Sequence, residues 1–257
     1  MFNVTPIPAF NDNYIWAIAL PDNNKIAVVD PGDATPVLNY LQSNQLELAA
    51  ILITHHHNDH TGGVDQLRES FNVPVYGPAS SPFAGITNPL SNDDKISLFG
   101  NVLSIKEIPG HTLDHISYFS DQTQPQIFCG DTLFLAGCGR LFEGTAKQML
   151  SAMAYFKTLP ENTEVYCTHE YSLANLAFAL AVEPNNRSIA EAIQNCESMR
   201  QQDIPTLPSS IAQEKQINPF MRTQHADVIS AAQKFSGAAL NEEVEVFASI
   251  REWKNQF

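Results

Sequence analysis

The sequence predicts an α/β fold followed by a smaller all-helical C-terminal region. Over the first two-thirds, short apolar runs of strand length alternate with segments of helical spacing, the pattern of a layered α/β domain. From Tyr171 onward no strand-like run stands out, and helical stretches interrupted by Pro184, Pro205 and Pro208 dominate. A third observation adds chemistry to this frame. Thr54-His55-His56-His57-Asn58-Asp59-His60 gathers four of the eight histidines into six positions.

In chain order, residues 14–20 and 26–29 read as a strand pair joined by the turn formers Pro21-Asp22-Asn23-Asn24. Asp30-Pro31-Gly32 breaks the pattern, and Asp33 is placed to cap a helix through Val37, Leu38 and Leu41. Residues 49–53 have the composition of a buried strand. The histidine run starts at its C-terminal end, where open α/β sheets place their sites. Thr61-Gly62-Gly63-Val64 then opens a helix through Leu67 and Phe71. Residues 96–99 and 102–108 form a hairpin around Gly100-Asn101. Apolar runs through Cys129 and Cys167 are further core strands, so both thiols should be buried as small hydrophobes. Residues 145–159 carry Met149, Met153 and Phe156 at helical spacing, the signature of core packing. Residues 173–182, 189–202 and 241–257 are the helices of the tail. A boundary near residues 169–171 divides the chain into domains 1–169 and 170–257.

Crowded imidazoles serve a metal site rather than a surface loop, because neutral histidine is a metal ligand that needs no charge compensation. His55 and His57 alternate around His56, so in extended backbone they project to one side and His56 to the other. Asp59 and His60 follow as the chain turns. One tetrahedral zinc takes three protein ligands and a water, so four candidates in one run point to more than one ion. Three strand-like segments downstream end in further ligands, at His111, Asp131 and His169. Singly, each has an ordinary explanation as a satisfied histidine or a turn former. Together with the run they define a metal centre. Two ions sharing a carboxylate would lie about 3.5–4 Å apart and yield a hydroxide nucleophile at neutral pH, which suits hydrolysis of an activated carbonyl. A thioester fits, because a thiolate leaves without a dedicated general acid.

Composition narrows the partners. A formal charge of −14 argues against nucleic acid, whose binders need basic patches. No apolar stretch approaches the ~20 residues of a membrane span. The first residues show no charged and apolar leader, and the four cysteines form no CxxC pair. These readings lead to the expectation of a cytoplasmic monomer with no membrane partner. Positive charge for an anionic small molecule is available at Arg140, Lys147, Arg251 and Lys254. Phe247, Arg251 and Lys254 share one helix face, and spacing alone favours a solvated helix end over a carboxylate grip.

The motif Thr54–His60 with three later single ligands resembles the metallo-β-lactamase superfamily. Within it the chain is similar to glyoxalase II, the hydroxyacylglutathione hydrolases. The likeness runs through Asn13-Tyr14, Asp30-Pro31-Gly32, Gly110-His111-Thr112, Gly130-Asp131-Thr132-Leu133-Phe134, Cys138-Gly139-Arg140, Glu143-Gly144-Thr145 and Thr168-His169-Glu170-Tyr171. It continues through Asn218-Pro219-Phe220 with Arg222 and the final Arg251 and Lys254. The resemblance implies an αββα sandwich with a helical C-terminal domain. It implies two divalent ions, with zinc expected and iron or manganese compatible. His55, His57 and His111 would hold one ion, Asp59, His60 and His169 the other, and Asp131 would bridge them. Asp59 and Asp131 would then be catalytic, His56 no ligand, and His115 an orienting neighbour. The implied reaction is hydrolysis of S-D-lactoylglutathione to D-lactate and glutathione, in methylglyoxal detoxification. Arg251 and Lys254 would hold the glycine carboxylate of glutathione and Tyr171 its backbone. Arg140 and Phe142 stand where the family often has lysine and tyrosine, keeping the charge and losing a hydroxyl. Two alternatives differ in class. A glutathione persulfide dioxygenase would use one iron and would not need Asp59, His60 and His169, and a non-catalytic protein would only bind glutathione conjugates.

Overall fold

Proline placement sets one edge of the first sheet. β1 (Asn3–Ala9) carries Pro6 and Pro8, which cannot donate to a ladder, and it lies outermost beside β2 (Asn13–Ala19). β2 and β3 (Lys25–Val29) are buried along almost their whole length, as their unbroken apolar composition requires. β1, β2 and β3 pair antiparallel. α1 (Ala34–Asn44) then crosses over to β4 (Glu47–Leu52), which runs parallel to β3. The Asp33 carboxylate accepts from the Thr35 amide at 2.8 Å and caps α1. After β4 the chain forms a single turn, α2 (Asn58–Thr61), and then α3 (Val64–Phe71). β5 (Val75–Pro78) and β6 (Asn88–Leu90) complete the sheet in parallel.

A second, antiparallel sheet follows with β7 (Lys95–Leu98), β8 (Asn101–Glu107), β9 (Ile116–Ser120) and β10 (Gln126–Gly130). The β7–β8 turn falls on Phe99-Gly100, one residue earlier than the sequence predicts. Leu98 pairs with Asn101, and both turn residues have positive φ, 51° and 81°, as a two-residue hairpin demands. The computed structural model describes residues 1–257 except Asp22. The predicted turn at residues 21–24 therefore lies partly outside the described residues.

The chain folds into two compact units interleaved along the sequence. One comprises Met1–Ile108, Asp114–Gly130 and Tyr166–Glu170, and the other Pro109–Leu113, Asp131–Val165 and Tyr171–Phe257. The core of the first joins Ile15, Val28 and Ile51 of the sheet to Val37, Leu41 and Leu67 of the helices. Its two sheets are tied by Ile116 N–H to Thr54 O at 2.9 Å and by the Tyr118 hydroxyl to Ile53 O at 2.8 Å.

The second unit begins its regular structure with a small hairpin, β11 (Leu133–Phe134) and β12 (Gly137–Cys138). α4 (Ala146–Thr158) follows, capped by Thr145 and Gln148 in a reciprocal box. β13 (Glu164–Cys167) leads to α5 (Ser172–Val182) and α6 (Arg187–Arg200). β14 (Ser209–Ser210) pairs with Glu164 and Val165, a short strand in a region expected to have none. α7 (Ile211–Ile217), a 3₁₀ turn (Pro219–Met221), α8 (Ala226–Ser236) and α9 (Glu243–Gln256) complete the chain. α7 is too short, and α8 buries too narrow a stripe, for periodicity to reveal either one. Met149, Met153 and Phe156 are buried as expected, and Phe178, Phe220 and Phe247 are buried in the same unit. All four cysteines are free and buried. Among the described residues no helix is long and apolar enough to cross a membrane.

Candidate metal centre

The parallel pairing of β3 and β4 puts Asp30 beside Thr54, just beyond both strand ends. The Asp30 carboxylate is buried and accepts from the Thr54 amide and from the Thr54 hydroxyl, each at 2.7 Å. It also lies 3.1 Å from His60 Nδ1. With its hydrogen directed to Asp30, the Thr54 oxygen is an acceptor for His55 Nδ1–H at 3.1 Å. The Thr54 contact fixes one tautomer: a proton on Nδ1 leaves the Nε2 lone pair of His55 for an ion.

His169 follows β13 and is fixed in the same manner. Its Nδ1–H donates to Asp12 Oδ1 at 2.9 Å, and its Nε2 stands 3.5 Å from Asp59 Oδ2. His60 Nε2 stands 3.4 Å from that same oxygen. The Asn13 amide donates to it at 3.1 Å. Partial burial works against the Asp59 charge, but the facing His169 and His60 rings and the Asn13 amide outweigh it and hold the carboxyl well below the usual carboxylate range.

These separations test the fit of a metal. Two ligand atoms each about 2.1 Å from a tetrahedral ion lie about 3.4 Å apart. Asp59 Oδ2 is at 3.4 and 3.5 Å from the two imidazole nitrogens, so the donor set Asp59, His60 and His169 has the spacing and chemistry of a divalent-metal site. His55 Nε2 and His57 Nδ1, 3.1 Å apart, form a second nitrogen pair in the same unit. His56 turns away, with Nδ1 on Asp114 Oδ1 at 2.9 Å. His115 lies flat against His55, with ring centres 4.5 Å apart and planes at 14°, and its Nδ1–H donates to Ile116 O at 3.1 Å. Gly130 lets these groups close up: its φ is +48°, and a Cβ there would overlap the Thr54 hydroxyl and crowd the His115 ring.

Within the second unit His111 and Asp131 come together. His111 Nδ1–H donates to the Arg140 carbonyl at 2.8 Å, which leaves Nε2 unprotonated, 3.5 Å from Asp131 Oδ2. Gly139 permits this approach, since a Cβ there would overlap the Asp131 carbonyl oxygen. The His111 ring packs edge-on against Phe142, over which the Arg140 guanidinium sits at 5.9 Å. Phe142 is 60% exposed, and Tyr171 is half-exposed with its ring against Phe134. Lys147 and His225 are exposed, and Arg222 Nη2 lies 3.2 Å from His225 Nδ1.

The basic pair of α9 differs from the simple gripping face that spacing describes. Arg251 is only 7% exposed, lies over the Phe220 ring, and donates from Nη1 to Cys138 O at 2.8 Å and from Nη2 to Asn255. Lys254 is partly exposed and donates to Ala174 O at 3.0 Å. Burial and then the Arg251 charge push its pKa down to about 8. The sequence assigns no role to the orienting residues Asp12, Asp30 and Thr54. Thr54 heads the histidine motif and Asp30 stands at the end of a core strand, whereas Asp12 carries no such signal.

Paired imidazole and carboxylate ligands at the ends of α/β strands define the metallo-β-lactamase class, and residues 10–169 match the model described as "Metallo-beta-lactamase superfamily". Residues 170–257 match the one described as "Hydroxyacylglutathione hydrolase C-terminus". The chain is 49% identical to a hydroxyacylglutathione hydrolase of Vibrio parahaemolyticus and 50% identical to one of Hahella chejuensis, with 100% of both chains covered in each case. A solved structure, ETHE1 from Myxococcus xanthus, shares the fold at a TM-score of 0.67 and 22% identity, covering 98% of this chain and 91% of that one. The chain belongs to the hydroxyacylglutathione hydrolase family of the metallo-β-lactamase superfamily.

Proposed function

We propose that the protein is a binuclear metal-dependent thioesterase that hydrolyses 2-hydroxyacyl thioesters of glutathione, with S-D-lactoylglutathione as the leading substrate. The observation that carries the reaction class is the Asp59–His60–His169 donor set, each imidazole oriented by its own carboxylate. The substrate reading rests on the family to which residues 170–257 belong. His55, His57 and His111 are assigned to one ion, Asp59, His60 and His169 to the other, and Asp131 to both. Zinc is the expected metal, and iron or manganese suits the same nitrogen and oxygen ligands.

When bound, the ions supply Lewis acidity that brings the pKa of water towards ~7 and polarises a carbonyl. The protein supplies the rest. Asp59 stays anionic throughout the neutral range, so it serves both as a ligand and as an acceptor that holds a water proton in line. His55, His111 and His169 are held as Nδ1–H tautomers by Thr54, the Arg140 carbonyl and Asp12, and the Asp30 carboxylate faces His60 Nδ1. Water adds to the thioester carbonyl, the C–S bond breaks, and glutathione leaves as the thiolate. Arg140 and Lys254 provide positive charge for its carboxylates, with Tyr171 and Phe142 as exposed contact surfaces. Arg251 acts beneath them by holding the Cys138 carbonyl. Four free, buried thiols suit a reducing cytoplasm, and the acidic chain is expected to act as a monomer on this small molecule alone.

The test is thiol release from S-D-lactoylglutathione by purified protein, followed with a thiol reagent. Turnover should vanish on chelation, return with zinc, and fall sharply in Asp131→Ala. Metal-loaded protein that releases no thiol would remove the proposal.

A further inference from the structure

The β11–β12 hairpin is too small to hold its own shape. Its ladder has two residue pairs, Leu133 with Cys138 and Phe134 with Gly137, and its turn residue Ala136 has a φ of +54°. Buried side chains from the helices hold it instead. Asn218 Nδ2 donates to Phe134 O at 3.2 Å and to Gly137 O at 2.9 Å, and Asn175 Nδ2 donates to Leu135 O at 3.1 Å. The Ala136 amide donates to Glu214 Oε2 at 2.9 Å, and Arg251 holds Cys138 O. Glu214 and Asn218, one helical turn apart, also bond each other at 2.9 Å. Both are fully buried.

The hairpin lies between two features of the metal centre. Asp131 precedes it by two residues. Arg140 follows it by two, and the Arg140 carbonyl is the group that orients His111. Gly139 N–H to Thr132 O at 3.2 Å carries the ladder outward to both. We propose that Glu214 and Asn218 are positioning residues for the metal centre: they fix the hairpin backbone, and the hairpin sets Asp131 on one side and, through the Arg140 carbonyl, His111 on the other. This inference rests on the metal-centre reading above. Its chemistry is that of an outer shell acting on ligands through backbone rather than through direct contact.

A carboxyl is a poor choice for simply filling a core. Burial pushes Glu214 up to about 7, against hydrogen bonds from Ser209, Asn218 and the Ala136 amide that act to lower it. An apolar residue of similar volume would avoid that desolvation. Glu214 supplies what an apolar residue lacks, an acceptor for a buried turn amide.

The experiment compares Glu214→Gln, Glu214→Leu and Asn218→Leu in the full chain. Zinc affinity is read by competition with a chromogenic chelator, together with kcat, KM and the melting temperature. Glutamine keeps the acceptor and should stay within about 3-fold of wild type in zinc affinity and kcat. The two leucine variants should bind zinc about 10- to 100-fold more weakly and lose kcat to match, even where their melting temperatures equal that of wild type. Folded leucine variants with unchanged zinc affinity and kcat would overturn the proposal. Should the leucine variants fail to fold, hydrogen exchange at the Ala136 amide of the wild type decides. Exchange as slow as that of α4 supports the positioning role, and exchange at loop rates overturns it. A wild type that binds zinc but hydrolyses no thioester would remove the functional reading, while the zinc and exchange measurements would still decide the positioning role.

Discussion

The two stretches that carry the candidate ligands are held in opposite ways. Residues 54–60 are fixed by carboxylates acting on side chains: Asp30 takes the Thr54 hydroxyl and His60, and Asp12 orients His169 opposite Asp59. Residues 131–140 are fixed by amides, a guanidinium and a buried carboxyl acting on backbone. The first arrangement determines which nitrogen carries a proton, and so acts through electrostatics. The second determines where a chain segment runs, and so acts through geometry. The two stretches thus depend on two kinds of support that should fail differently.

The largest effect is expected where a ligand itself is removed. His169→Ala should lower kcat about 10³-fold, several kcal/mol of lost charge stabilisation, and should leave less metal bound on elemental analysis. Retention of both full activity and full metal content would break the assignment of the carboxylate-fixed half. The next effect concerns the backbone-fixed half and reads pH. The Glu214 pKa of about 7 in the folded protein exceeds its ordinary value of 4.5, so the folded state holds that proton more tightly. Its contribution to stability is complete below about pH 4.5 and is lost as pH rises through 7. Subtracting the urea-unfolding stability of Glu214→Gln from that of wild type at each pH should give a difference that falls by about 3 kcal/mol across this window. A flat difference would show that Glu214 is not desolvated as described.

Asp30→Asn replaces an acceptor with a group that cannot serve Thr54 and His60 together, and should weaken zinc binding about 10- to 100-fold. Chelator competition measures it, and an unchanged affinity would erase the electrostatic side of the contrast. The smallest effect is at the exposed rim of the second stretch. Phe142→Tyr adds back one hydroxyl, and a single solvent-accessible hydrogen bond of about 0.5–1 kcal/mol should lower KM about 3-fold with kcat unchanged. A shift in kcat instead would mean that Phe142 contacts the reacting groups through His111.

The same contrast explains what the sequence revealed. The histidine run was legible because candidate ligands crowd into one short motif at a strand end, and in the structure His55 and His57 pair while His56 faces Asp114. Strands and helices with unbroken apolar runs or strong caps, such as residues 13–19 and the Thr145 box, were equally plain. Asp12 was invisible, because its partner His169 is 157 residues away and a lone aspartate has many uses. Glu214 and Asn218 were hidden for a related reason. In sequence they look like the polar side of a short helix, and only tertiary structure turns that side inward onto a hairpin. The Phe99-Gly100 turn was displaced by one residue because a bulky aromatic at positive φ runs against local preference, and strand register overrode it.

The attachment of Cys138 to Arg251 across 113 residues has a consequence in time. A ribosome adds roughly 5–20 residues per second. The carbonyl of Cys138 is therefore made about ten seconds before the guanidinium that will hold it. Over that interval the strands of residues 3–52 can already pair, whereas the segment bearing Asp131 is still waiting for its clasp. The loop can be locked only after the helix that holds it has been translated.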